Sequence, residues 1–227
     1  MATTGTYAWN PSLGSIGAYA LGRCDVRRTA IMAEHLADVA IAANLVLSGW
    51  SNSQPNLWTV KLTPVSLTQG NPGPYVLPAD VVLVLDCYIS TTAGDRVIYP
   101  VSRSEYAAFP IKTTQDPPTV YWLDRVVPPT LTVYPAPDGN GPYTLNYYAV
   151  HQDQDAALGA SAGLDLPYRY FKAFSDALAA ELAPTYAPDK VPMLGTLAAQ
   201  SKTAADEQDR EATPIFIVPA LSGYYRR

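Results

Sequence analysis

Gly159-Ala160-Ser161-Ala162-Gly163 has the G-x-S-x-G spacing of a nucleophile elbow, in which a serine on a sharp strand-to-helix turn attacks a carbonyl. That chemistry needs a strand before the serine, a helix after it and a histidine later in the chain. Asp153 to Leu158 do not read as a strand, and both histidines, His35 and His151, precede Ser161. A flexible Gly/Ala/Asp linker over 152–163 explains the match by composition alone. His151 with Asp153 and Asp155 could supply a base and its orienter, or metal ligands. Alternating acids in a loop read instead as a solvated turn, with neither calcium-loop spacing nor a further ligand cluster beside them. Cys24 and Cys87 lie far apart and outside any C-x-x-C, so they read as small buried thiols rather than half of a zinc site. Carboxylate pairs of the kind a glycoside hydrolase uses are available, but chain position cannot show the ~5 to 9 Å separation which that mechanism demands. There is no Gly-rich phosphate loop, and Arg23, Arg27 and Arg28 are too few for a nucleic-acid patch. No catalytic, metal or cofactor constellation is complete, so neither enzyme activity nor a cofactor is expected.

Asp206, Glu207, Asp209 and Glu211 read first as a solvated helix end. Repeated around a ring, the same four acids would give a negative wall that repels DNA and eases its passage.

These residues must be positioned by elements whose periods change along the chain. Residues 23–48 read as a helix, with Thr29, Met32, Leu36, Val39, Ala43 and Val46 on one stripe. A second stripe of Ala30, Ala33, Ala37, Ala40 and Asn44 would admit a close neighbour, and Gly49 reads as the stop. From Leu57 the period becomes two. Trp58, Val60 and Leu62 alternate with polar residues, and Val65 and Leu67 resume out of phase after Pro64, as a bulge would produce. Val81 to Ile89 reads as a strand covered on both faces, and further strands are expected at 120–125, 130–134 and 143–150. Helical signals return at Asp165, expected to cap a helix with Phe171, Phe174, Leu178 and Leu182 on its buried face, broken by Pro184 and Pro188. A last helix is expected from about Asp189 to Glu211. The fold class is therefore α+β: a discontinuous helical bundle (1–57 and 151–213) with an inserted β domain (58–150) and an extended C-terminal tail (214–227).

Composition narrows the function. Charged residues are 15% of the 227, against about 25% in ordinary soluble domains, and there are 16 Tyr against 4 Phe and 4 Trp. Few charges and many tyrosines suit surface hidden against partners. A net charge of −5 argues against a subunit whose task is gripping phosphates. No apolar run approaches the ~20 residues of a membrane span, and the absence of basic residues before Arg23 argues against a signal peptide, so synthesis in the cytoplasm is expected.

The order of certain segments is distinctive. Leu47-Ser48-Gly49-Trp50, Pro55-Asn56-Leu57-Trp58, Tyr75-Val76-Leu77-Pro78 and the strand at 81–89 come first. Ser102-Arg103-Ser104-Glu105-Tyr106, Pro118-Thr119-Val120-Tyr121-Trp122, Leu131 to Asp138, Leu164-Asp165-Leu166-Pro167 and Leu178 to Ala183 follow. Together they resemble the head-to-tail adaptor family of short-tailed phages, also called tail accessory factors. The resemblance implies a non-enzymatic virion protein of the neck. It implies a homo-oligomeric, twelve-fold ring beneath the portal protein that extends the DNA channel, helps retain packaged double-stranded DNA without reading its sequence, and carries downstream tail proteins such as nozzle, spikes or fibres. Residues 1–19, rich in Gly, Ser and Thr, depart from the short helical start expected of the family. A peptidoglycan hydrolase and a carbohydrate-binding decoration protein are the competing classes.

The tail, Pro214 to Arg227, is too apolar for a solvated end. Burying a side chain such as Ile215, Phe216, Ile217, Val218, Tyr224 or Tyr225 returns about 1.5 to 3 kcal/mol. Fixing each residue's backbone costs about 1 to 2 kcal/mol, so a tail in which only some residues bury a large side chain is not expected to fold alone. A preformed portal groove, with acids for Arg226 and Arg227, would tip that balance. If the linker reading of residues 159–163 is right, Ser161→Ala leaves particle assembly and infectivity unchanged. Loss of ester or glycan hydrolysis in that variant would instead establish an enzyme.

Overall fold

The structure, a computed structural model, describes residues 5–53, 56–158 and 163–210. The tail at 214–227, Glu211 and Ser161 therefore lie outside the described residues.

The first helix begins where the sequence suggested none. Ser12 caps it by accepting the Ser15 N–H at 3.3 Å, and α1 runs Leu13–Arg23. Leu13, Ile16, Ala20 and Leu21 are buried along one face, an amphipathic spacing that outweighs the low helix propensity of Gly14, Gly17 and Gly22. Gly17 is there for contact: a Cβ at this position would overlap Val39 Cγ1. The helix ends in a Schellman motif, with Asp25 at φ 64° and the Val26 N–H bonded to the Leu21 carbonyl at 3.0 Å. The expected helix over 23–48 is thus interrupted.

A 3-10 turn at Arg28–Ala30 follows, then α2 spans Ala33–Ser53. Its inner face is Val39, Ala42, Ala43, Val46, Leu47 and Trp50, while Met32 of the expected stripe is exposed. The helix also passes through Gly49, because Trp50 must reach the Tyr170 and Phe174 rings at 5.7 and 6.1 Å. Packing overrides the stop signal.

The strands are β1 (Val60–Leu67), β2 (Tyr75–Val76), β3 (Val81–Thr91), β4 (Gly94–Pro100), β5 (Val120–Asp124), β6 (Thr130–Tyr134) and β7 (Tyr143–His151). They form a nearly closed seven-stranded sheet in the order β1-β7-β3-β4-β5-β6-β2, antiparallel except where β4 meets β5. Pro64 does not cause a bulge: β1 pairs with β7 in unbroken register from Val60↔Val150 to Leu67↔Tyr143. An edge strand tolerates proline, and the change of apolar phase reflects which face is covered, with Val65 and Leu67 turned to the sheet core and Leu62 exposed. The irregularities fall in β3, between Val81 and Leu83 and between Val84 and Asp86. They leave Leu85 exposed, so β3 is not covered along both faces.

A short helix, α3 (Arg103–Ala108), starts with a capping box between Ser102 and Glu105. It covers the sheet through Tyr106 stacked on Trp122 and Phe109 stacked on Tyr134, with centroids at 5.4 and 4.1 Å.

After β7 the chain returns to helix. Pro167 leads a 3-10 turn (Tyr168–Tyr170), and α4 runs Phe171–Tyr186 with no side-chain cap, so the helix starts later than a cap at Asp165 would place it. Phe171, Phe174, Leu178 and Leu182 are buried as expected. Pro184 sits within the final turn rather than ending the helix before it. The last helix, α5, runs Val191–Gln208. Residues of α1, α2, α4 and α5 share one apolar cluster, and the strands share another. The protein is α+β.

Cys24 and Cys87 are both buried, unpaired thiols. Burial, aided by Asp86, pushes the Cys87 thiol up to about 12. Among the described residues no helix is long and apolar enough to cross a membrane.

The close approach at Gly17 yields a test. Gly17→Ala should lower stability by about 1 to 3 kcal/mol in denaturant unfolding. In combination with Val39→Ala, which removes the clashing methyl groups, most of that loss should disappear, so the two changes should be strongly non-additive.

Candidate functional site

The acids read as a helix end divide once the chain is folded. Asp209 is buried; it accepts the Leu57 N–H at 2.8 Å and pairs with Arg169. Asp206 accepts the Tyr170 hydroxyl at 2.8 Å and pairs with Lys202 one turn earlier. Burial and that hydrogen bond to Asp206 both raise the Tyr170 hydroxyl above its usual range. Glu207 is exposed. Two of the acids are therefore committed to partners within the chain, and Glu207 is the described one that faces solvent.

His151 is not in a solvated turn either. It is buried at the end of β7, and its Nδ1 meets Asp80 Oδ2 at 2.8 Å. The hydrogen bond from His151 holds the Asp80 carboxyl below its ordinary value. Asp153 packs beside Trp58 and Ser51; burial raises its carboxyl, only partly offset by those two side chains, while Asp155 is exposed. His151 and Asp153 thus have separate partners. No group of three or more His, Cys, Asp or Glu among the described residues could hold a metal.

A concavity of about 870 Å³ opens along α1 and α4 and reaches α5 at Leu197. The segment before α1 supplies Trp9, whose ring meets Tyr168 and Phe171 edge-on at 6.2 and 5.5 Å. Trp9, Tyr19 and Tyr168 are 61, 55 and 73% exposed, an aromatic surface with nothing over it among the described residues. Arg23, Arg28, Arg169 and Lys172 line it too; Arg23 and Lys172 pair with Asp176 and Arg169 with Asp209, which leaves Arg28 as the cation without an acid beside it among the described residues. Aromatic rings beside arginine are the composition of protein-binding surfaces. Sequence reasoning missed this groove because its parts come from segments more than 140 residues apart and because residues 1–19 did not read as structured.

Asp176 anchors the wall. Burial opposes its ionisation, but hydrogen bonds from Lys172, at 2.6 Å, and from Arg23 outweigh it and hold the carboxyl below the usual carboxylate range. Arg23 is the more consequential partner, being 21% exposed where Lys172 is 77% exposed and screened by water. A carboxyl depressed by folding contributes stability above its unfolded value, near 3.9, that is lost as pH falls through the folded value. Asp176→Asn should therefore cost about 1 to 3 kcal/mol at neutral pH. The gap to wild type should narrow below about pH 4, as read by thermal unfolding across pH.

A sequence comparison with curated proteins gives no match. The family model described as SU10 adaptor protein matches residues 16–215, which takes in α1 from Ile16, all of the strands, and α2 through α5. The chain thus belongs to the SU10 adaptor protein family, a phage head-to-tail adaptor family.

Proposed function

We propose that the protein is a structural, non-enzymatic component of the virion neck that forms a ring between portal and tail. The observation that carries this reading is the family match over residues 16–215. In the proposed arrangement the helices of 1–57 and 151–213 form one discontinuous bundle, residues 58–150 form the inserted β unit, and residues 214–227 dock on the portal. The separate apolar clusters of helices and strands support that division. A twelve-fold ring would match the portal, extend its DNA channel, help retain double-stranded DNA without sequence readout, and offer a platform for nozzle, spike or fibre proteins. The uncovered groove and the low share of charge support a surface that expects partners.

Channel lining in this reading falls to Glu207, together with Glu211, rather than to all four acids, since Asp206 and Asp209 already have internal partners. Modest pairwise contacts would keep the isolated subunit monomeric until the portal templates the ring.

Docking through Ile215, Phe216, Ile217, Val218, Tyr224, Tyr225, Arg226 and Arg227 is open to a direct measurement. Deleting Pro214 to Arg227 should leave a folded, soluble protein by circular dichroism that no longer co-sediments with portal. Unchanged portal affinity of the truncated chain would remove the tail from the docking role.

A further inference from the structure

Among the described residues, two uncovered surfaces lie on opposite sides of the helices. One is the aromatic groove along α1 and α4, with Arg28 on its wall. The other is the outer face of α2, where Ile41 and Leu45 are 62 and 56% exposed beside a shallow apolar hollow of about 380 Å³. Helix α4 separates them. Trp50 of α2 packs on Tyr170 and Phe174, whereas the groove opens beside Lys172 and Asp176. Two residues of α-helix are about 200° of rotation, so Phe174 and Asp176 point to opposite sides of α4.

We propose that the outer face of α2 in one copy seats in the groove of the next copy, an assignment that rests on the ring reading above and names the surfaces that close it. Distinct patches on opposite sides of a subunit produce head-to-tail contacts, which close into a ring when the rotation permits. The chemistry of the two patches is complementary. Ile41 and Leu45, at i and i+4, present an apolar ridge to the Trp9, Tyr19 and Tyr168 rings. Glu34, two turns before Ile41 on the same face of α2, brings a carboxylate toward Arg28, the groove cation with no acid beside it among the described residues. Arg28 on the groove wall and Glu34 each lack an oppositely charged partner within the described residues.

Cysteine cross-linking tests the pairing, and buried Cys24 and Cys87 give it a low background. Full-length Leu45→Cys and Tyr19→Cys subunits are mixed with portal, imaged, and then oxidised. The mixture should give covalent dimers that neither variant gives alone, and the doubly substituted chain should give a ladder of higher species. Ile41→Asp should cut ring yield by at least about tenfold with unchanged circular dichroism, while Ile41→Leu should not. Rings seen in images without cross-links, or cross-links from Tyr19→Cys to portal, overturn the pairing and leave the ring reading standing. Absence of any ring on portal overturns both.

Discussion

A buried carboxylate ties the last helix to the segment that enters the sheet. Asp209 follows the end of α5, yet it takes the backbone N–H of Leu57, ahead of β1, and the guanidinium of Arg169, in the 3-10 turn that leads into α4. Taking a carboxylate out of water is costly, and only well-placed donors offset that cost. Here the donors come from both ends of the strand region, so satisfying one charge fixes where the chain leaves the helices and where it returns. Tyr170 repeats the theme one residue on. Its ring meets Trp50 and Trp58 at 5.7 and 4.3 Å, and its hydroxyl reaches Asp206. The joint between helices and strands is thus a polar network wrapped in aromatic rings.

This joint also explains which parts of the structure were legible in the sequence. Strands β5, β6 and β7 fall within a residue of their expected bounds, because β-branched alternation bounded by proline and glycine is a local signal. The buried face of α4 was equally legible from the spacing of Phe171, Phe174, Leu178 and Leu182. Helix α3 was not read, although Ser102 and Glu105 hold the spacing of a capping box; six residues give too little apolar periodicity to prompt the reading. Helix α1 was hidden by its glycines. The meaning of Gly17 depends on Val39, on another helix, and no local pattern encodes that contact.

The inward turn of Asp206 and Asp209 was beyond sequence reasoning for the same reason. A run of acids near a helix end looks like solvated charge until the partners are known, and Arg169 and Tyr170 precede Asp209 and Asp206 by 40 and 36 residues. Charge counted along a helix is therefore not charge presented on a surface. Each acid paired internally removes a unit from the field that a channel wall could project, and partner cations remove it locally regardless of the net charge of the chain.

The same distinction bears on the low proportion of charged residues. Much of the helical charge is spent inside the subunit: Arg23 and Lys172 on Asp176, Arg169 on Asp209, Lys202 on Asp206 and Lys190 on Asp25. What remains on the helical surfaces is weighted toward apolar and aromatic groups, Trp9, Tyr19 and Tyr168 on one side and Ile41 and Leu45 on the other. Surfaces of that kind gain little from long-range steering and much from contact, so their affinity grows with the number of contacts made at once. A subunit built this way is suited to assembly on a template, where neighbours are brought together before any one contact must hold alone.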